Sequence, residues 1–333
     1  MAGCEICGLK VLAATRADPT LHASPPGPMS SPSHCVHFDL DGAWPRDATP
    51  PGTHVDCRAW GPRLRYSTNA REIARFREFI REKTAPFTLF GSGDFHHLSA
   101  LWIRRIVEPF TLVSFDNHPD WDIRPPRWCC GTWINRALES PALRHAAIWG
   151  CGNFELNWPG SLYVNRRAFR EKRLSVWPWT ERLQPSGRRR WPGLARENWR
   201  ENFTAFAATL ARQDVYVTVD LDCLNESEAV TNWEHGLFSA EDIRWAIAEI
   251  RARAAIVGGD LCGAYSEPRY ARWMQRFTAE MDHPKKSGNP AGAAERNARA
   301  FQSIWPALTD SHHRHAGADE KHAQPQSQRD FFL

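Results

Sequence analysis

No stretch of this chain approaches 18 uninterrupted apolar residues, so a helix crossing a bilayer is not expected. The N-terminus has neither the charged start, the apolar stretch nor the cleavage pattern of a secretory leader. Nine cysteines, an odd number, lie scattered without framework spacing. That argues against a disulfide-stapled secreted module and for a reducing compartment, with the cytoplasm as the expected location. Cys4-x-x-Cys7 lacks a second Cys/His pair at zinc spacing and reads as coincidence. No internal repeat occurs. Neither acids nor bases predominate strongly, since the formal net charge is only +4. The run Arg188-Arg189-Arg190 has no nucleic-acid-binding motif around it and reads as a solvated loop. Neither a nucleic-acid nor a membrane partner is expected.

What is present is ordinary soluble-protein material: 333 residues, 42% hydrophobic and 24% charged. The 16 Trp are the exception. Trp102, Trp121, Trp128, Trp133 and Trp233 fall near the motifs below, as pocket walls or as core packing. Residues 1–34 (Pro25-Pro26-Gly-Pro28, Ser30-Ser-Pro-Ser33) and 309–333 (Ser311-His-His-Arg-His315, Gln324-Pro-Gln-Ser-Gln328) are poorly suited to burying a core and are expected to be disordered. Between them strands alternate with helices. Strands are predicted at Val36–Leu40, Phe87–Phe90, Thr111–Phe115, Ala146–Trp149, Leu174–Trp177, Asp214–Val219 and Ala254–Val257. Helices are predicted over Asn69–Lys83, Leu98–Val107, Trp199–Arg212, from Ser239 with Asp242 as its capping partner, and over Ala293–Ile304, ended by Pro306. Pro178–Asn198 reads as a long surface loop, either an insertion or a disordered excursion. The alternation predicts one α/β domain over residues 35–308, a parallel sheet with helices on both faces.

Three clusters of acids and imidazoles stand where predicted strands run out into loops. They are Gly93-Asp94-Phe-His96-His97, Asp116-x-His118-x-Asp120 and Asp220-x-Asp222. A lone Asp-x-His commonly caps a turn. Three such clusters, each behind an apolar run, instead suit a divalent cation with mixed N/O preference, such as manganese, iron or zinc. If the segment after Phe115 stays extended, the period of two puts Asp116, His118 and Asp120 on one side of the backbone. In an open parallel sheet, ligand sites form outside the carboxyl ends of the strands.

The order of these motifs resembles that of the arginase, agmatinase and ureohydrolase superfamily, over about residues 35–308. The resemblance implies an arginase-like three-layer α/β/α fold with a mostly parallel sheet and two manganese ions at its C-terminal edge. It implies six ligands: His96, Asp116, His118, Asp120, Asp220 and Asp222. Asp116 and Asp220 would bridge, His96 and Asp120 would complete one ion, and His118 and Asp222 the other. His97 is the alternative to His96, because the first motif carries one residue more than the family's Gly-Gly-Asp-His. Asp94 is a candidate partner for a ligand or a turn carboxylate, while Asp39 and Asp41 are expected to serve as caps or salt bridges.

The implied activity is metal-dependent hydrolysis of a C–N bond in a guanidino or amide-like small molecule, with a hydroxide bridging the two ions. The alternatives are a single-metal deacetylase on the same fold and a catalytically silent metal-binding protein. Self-association into a homo-oligomer is left open. The chain departs from the family where guanidine-cleaving members carry a glutamate after the last strand. Gly263 stands at that place, and the nearby acids are Glu267 and Glu234. The catalytic residues are not assigned. Cys130, in the region where arginases carry a proton-shuttling histidine, is at most a remote candidate for nucleophile or shuttle.

Overall fold

The computed structural model describes residues 34–45, 53–284 and 291–310, all within the unit Ser33–Leu333. Cys4, Cys7, the cluster His312 to His315 and nearly all of both terminal segments lie outside the described residues. The chain opens with β1 (Cys35–Asp39), β2 (Thr53–Asp56), α1 (Gly61–Leu64), β3 (Ser67–Thr68), α2 (Ala70–Ile80) and β4 (Phe87–Phe90). Then come α3 (Ser99–Ile103), β5 (Phe110–Phe115), β6 (Trp128–Cys129), α4 (Trp133–Ala137) and β7 (Leu143–Trp149). They are followed by α5 (Arg166–Arg170), β8 (Leu174–Trp177), α6 (Pro185–Arg190), α7 (Trp199–Thr209) and β9 (Asp214–Asp220). The last are α8 (Ala240–Arg251), β10 (Ala255–Cys262), α9 (Trp273–Asp282) and α10 (Ala293–Thr309).

Eight strands form one sheet in the order β2-β1-β4-β10-β9-β5-β7-β8, and every neighbouring pair is parallel. β3 and β6 form a separate antiparallel pair. Side-chain alternation sorts the central strands into two cores. On β5, Phe110 and Leu112 pack with Ile73 and Phe76 of α2, Trp102 of α3 and Ile134 of α4. Val113 and Phe115 pack on the other face with Phe203 of α7, Ile243 and Ile247 of α8, and Ile304 of α10. Helices therefore cover both faces, and the architecture is the expected three-layer α/β/α with a parallel sheet.

Local signals place several of these elements. Asn69 caps α2 by accepting from Glu72 N at 2.9 Å. Ser239 and Asp242 make the reciprocal capping box that starts α8. Two expectations need correction. Pro306 does not end α10, which continues to Thr309, because Trp305 and Leu308 on either side of it are buried and pin the last turn. Pro178–Asn198 is no disordered excursion: Trp179, Leu183, Trp191 and Leu194 are buried, and α6 lies within it. Arg188, Arg189 and Arg190 are exposed on that helix rather than on a loop.

Candidate metal centre

The chain runs from β4 to β5 across a gap of two sheet positions that β9 and β10 later fill. Because the sheet is parallel, the segments after β4, β5 and β9 open at the same edge, and each carries one of the three clusters. A short 3-10 turn over Gly93–Leu98 holds His96, which is 1% exposed. Asp220 is the last residue of β9, and its side chain caps the following turn by accepting from Asp222 N.

The middle cluster converges differently from the extended reading. β5 ends at Phe115, His118 N donates to Asp116 Oδ1 at 2.7 Å, and Asp120 adopts φ of 47°. A turn, not a continued strand, thus folds Asp116, His118 and Asp120 toward one point. A positive φ is uncommon outside glycine, although Asp tolerates it better than most residues.

The structure brings all six predicted residues together. His96 Nδ1 lies 3.0 Å from Asp116 Oδ2 and 3.5 Å from both Asp120 Oδ2 and Asp220 Oδ2. His118 Nδ1 lies 2.8 Å from Asp222 Oδ2 and 3.6 Å from Asp116 Oδ1. Three compact donor groups result, and two of them share Asp116: His96 with Asp116 and Asp120, and His118 with Asp116 and Asp222. Asp116 belongs to both, as a bridging carboxylate would. Asp220 instead groups with His96 and Cys262. His97 is not among these donors. It is fully buried nearby, and burial pushes its imidazole down to about 3.

His96 Nε2 is tied to Thr218 Oγ1 at 2.9 Å, which fixes the ring, while Nδ1 faces three carboxylate oxygens without an aligned hydrogen bond to any. An imidazole held by one nitrogen and offering the other to converging acids is the arrangement of a metal ligand. The surrounding electrostatics agree. Burial, then Asp116, pushes Asp120 up to about 7, and burial pushes Asp222 up to about 6. Asp116 is held low by His118 and His96 against its burial. Four carboxylates facing two imidazoles leave a buried excess of negative charge, and divalent cations would balance it. The residues present therefore fit the metal that the resemblance implies.

The acids and His118 line a cavity of about 30 Å³ together with Cys130, Glu155, Trp233, Glu234 and Asp282. That is room for ions or waters. Several of its features were not read from the sequence. Trp133 Nε1 donates to Asp120 Oδ2 at 2.6 Å, so this Trp positions a site acid as well as filling the core. Cys262 Sγ lies 3.4 Å from Asp220 Oδ2, and burial keeps its thiol protonated. Glu155 reaches the cavity from the loop after β7, and its Oε2 is buried without a partner. No motif marked it, because it stands alone between apolar residues.

The remaining candidates divide. Glu234 lies at the cavity, its Oε2 3.1 Å from His118 Nε2. Glu267 is exposed, accepts from Tyr265 Oη and does not line the cavity. Asp94 bonds no ligand side chain. It takes Arg65 Nε and His283 Nε2, each at 2.7 Å, and they hold it down at about 2. Asp39 pairs with Arg58 and caps Gly42 N, as a structural acid does. Cys130 is buried, and Cys129 and burial raise its thiol well above the usual range, against a thiolate role.

No protein-family model matches the chain. It is 29% identical over 201 residues, 60% of its length, to an uncharacterized protein of Thermotoga maritima, and the match spans 66% of that relative, just under two thirds. Among solved structures it is similar to a putative agmatinase from Clostridium difficile, at 14% identity and a TM-score of 0.49 over 84% of this chain and 98% of that one. It is also similar to formimidoylglutamase from Bacillus subtilis, at 12% identity and 0.49 over 83% and 85%. Arginase from Medicago truncatula gives 14% identity and 0.47 over 83% and 87%. Such values bear on fold alone and carry no argument about reaction or substrate. No helix among the described residues is long and apolar enough to cross a membrane.

Proposed function

We propose that this protein is a metal-dependent hydrolase of a C–N bond in a guanidino or amide-like small molecule, acting in the cytoplasm with two manganese ions. The observation that carries the reading is the convergence of His96, His118 and four carboxylates at the C-terminal edge of the parallel sheet, with Asp116 common to two donor groups. When bound there, two divalent ions supply Lewis acidity and an activated water. His96, Asp116 and Asp120 would hold one ion, and His118, Asp116 and Asp222 the other, with Asp220 beside His96.

The chain's own residues would do the rest. Thr218 and Trp133 orient His96 and Asp120, so these donors need no rearrangement to bind. The cavity holds no substrate-sized space as it stands, and Glu234, half-exposed over His118, is the side chain that would swing to admit one. A guanidinium is planar and cationic and needs an acid for charge-assisted hydrogen bonds. Glu234, whose carboxyl His118 holds low against burial, is the acid placed for it, and Glu155, which burial pushes well above the usual carboxylate range, would serve on ionising as the cation enters.

A screen of manganese-loaded protein for urea, ammonia or amine release across guanidino compounds and simple amides tests this reading. Glu155→Gln and Glu234→Gln should each raise KM for a cationic substrate about tenfold with metal content unchanged. No turnover of any compound by fully loaded protein would sink it.

A further inference from the structure

Away from the metal centre, a cleft of about 540 Å³ opens where β3, α2, α3 and β6 meet. Its apolar wall includes Ile73, Leu101 and Trp128. Its rim is cationic, with Arg77, Arg104, Arg127 and Arg136 against one carboxylate, Glu139. Three of these guanidinium groups crowd onto that acid. Arg104 Nη2 lies 3.1 Å from Glu139 Oε2, Arg127 Nη2 lies 2.8 Å from Oε1, and Arg136 also donates to Oε1. In the adjoining groove Asp122 and Glu171 are occupied by Arg124 and Arg167, so they do not offset the excess.

Two buried polar atoms at this cleft have no partner. Thr68 is 6% exposed, and its Oγ1 makes no hydrogen bond. Arg136 Nε makes none either. Buried polar groups are rarely left in that state. Burial, together with Arg127 and Arg104, also pushes the Arg136 guanidinium down against the pull of Glu139. Arg104 lies over the Trp128 ring at 5.5 Å from its centroid, which joins the cationic rim to the apolar wall.

We infer that this cleft binds a small organic phosphate, with its apolar body against Ile73, Leu101 and Trp128 and its phosphate in place of Glu139 as the acceptor for Arg104, Arg127 and Arg136. Guanidinium forks match phosphate oxygens two at a time. A phosphate also carries more charge and more acceptor oxygens than the single carboxylate it displaces. Glu139 is 39% exposed, so its carboxylate has solvent to turn to once a phosphate takes over the three guanidinium groups.

Titration calorimetry of the metal-loaded protein with phenyl phosphate, inorganic phosphate and phenol tests this. Phenyl phosphate should bind one per chain, about tenfold tighter than inorganic phosphate, with phenol undetected. Arg127 is 72% exposed, so Arg127→Gln should fold normally and weaken phenyl phosphate at least fivefold. Trp128→Leu should bring phenyl phosphate close to inorganic phosphate. Absent saturable binding at millimolar ligand, binding unchanged in Arg127→Gln, or equal affinity for the two phosphates would each overturn the inference. The second result would place the phosphate elsewhere, including at the metal residues.

Discussion

Replacing Gly263 with Ala should damage the metal centre from the neighbouring strand, β10. Gly263 follows β10 at φ of +100°, a region L-residues rarely enter. A Cβ there would overlap Asp220 Oδ1 and the Leu221 backbone nitrogen. The conformation alone costs about 1–3 kcal/mol. The overlap with backbone cannot be relieved by a rotamer change, so a total of about 3 kcal/mol is expected. At roughly 2–4 °C per kcal/mol for a domain of this size, the melting temperature should fall by roughly 6–12 °C. Asp220 must shift too, so manganese affinity should drop at least tenfold while His97, outside the donor set, is untouched. Differential scanning calorimetry and a manganese titration measure the two effects. A Gly263→Ala protein with unchanged melting temperature and affinity would refute the reasoning.

Arg65 is 1% exposed and ties Asp94, Ser266 and Asp41 together. Arg65→Leu should cost about 3–5 kcal/mol in guanidinium denaturation, because it strands a buried carboxylate; Arg65→Leu with Asp94→Asn should recover part of that, and no recovery would contradict the ion-pair account. Asp242 accepts from Ser239 N and from Arg196 and Arg200, and these contacts hold its carboxyl low against its burial. A folded value below the unfolded one stabilises above the unfolded carboxyl range and is lost as pH falls through the folded value. Asp242→Asn should therefore cost about 1 kcal/mol at pH 7 and nothing in strong acid; an equal cost at both would count against it.

The fold was legible because its signals are local. Short apolar runs marked the interior strands, and Ser239 with Asp242 marked the start of α8. Two elements were not: β2 is half-exposed and carries no apolar run, and α9 leaves Trp273, Phe277 and Met281 exposed, so it shows no single buried stripe. At the site, acids clustered in sequence could be read together, and the structure does bring them together. Their mode of convergence could not, since the left-handed turn at Asp120 depends on Trp133 and on packing around it. Glu155 and Cys262 reach the site through sheet order, from β7 and β10, and sheet order is not written in any one segment.

The metal content of the purified protein tests the central claim most directly. Chain reconstituted with manganese, desalted and analysed by inductively coupled plasma mass spectrometry should hold about two ions. Asp116→Ala should hold about none, because Asp116 serves both donor groups, whereas His118→Ala should retain about one. Folded wild-type protein with no stoichiometric metal, or Asp116→Ala retaining both ions, would contradict the account.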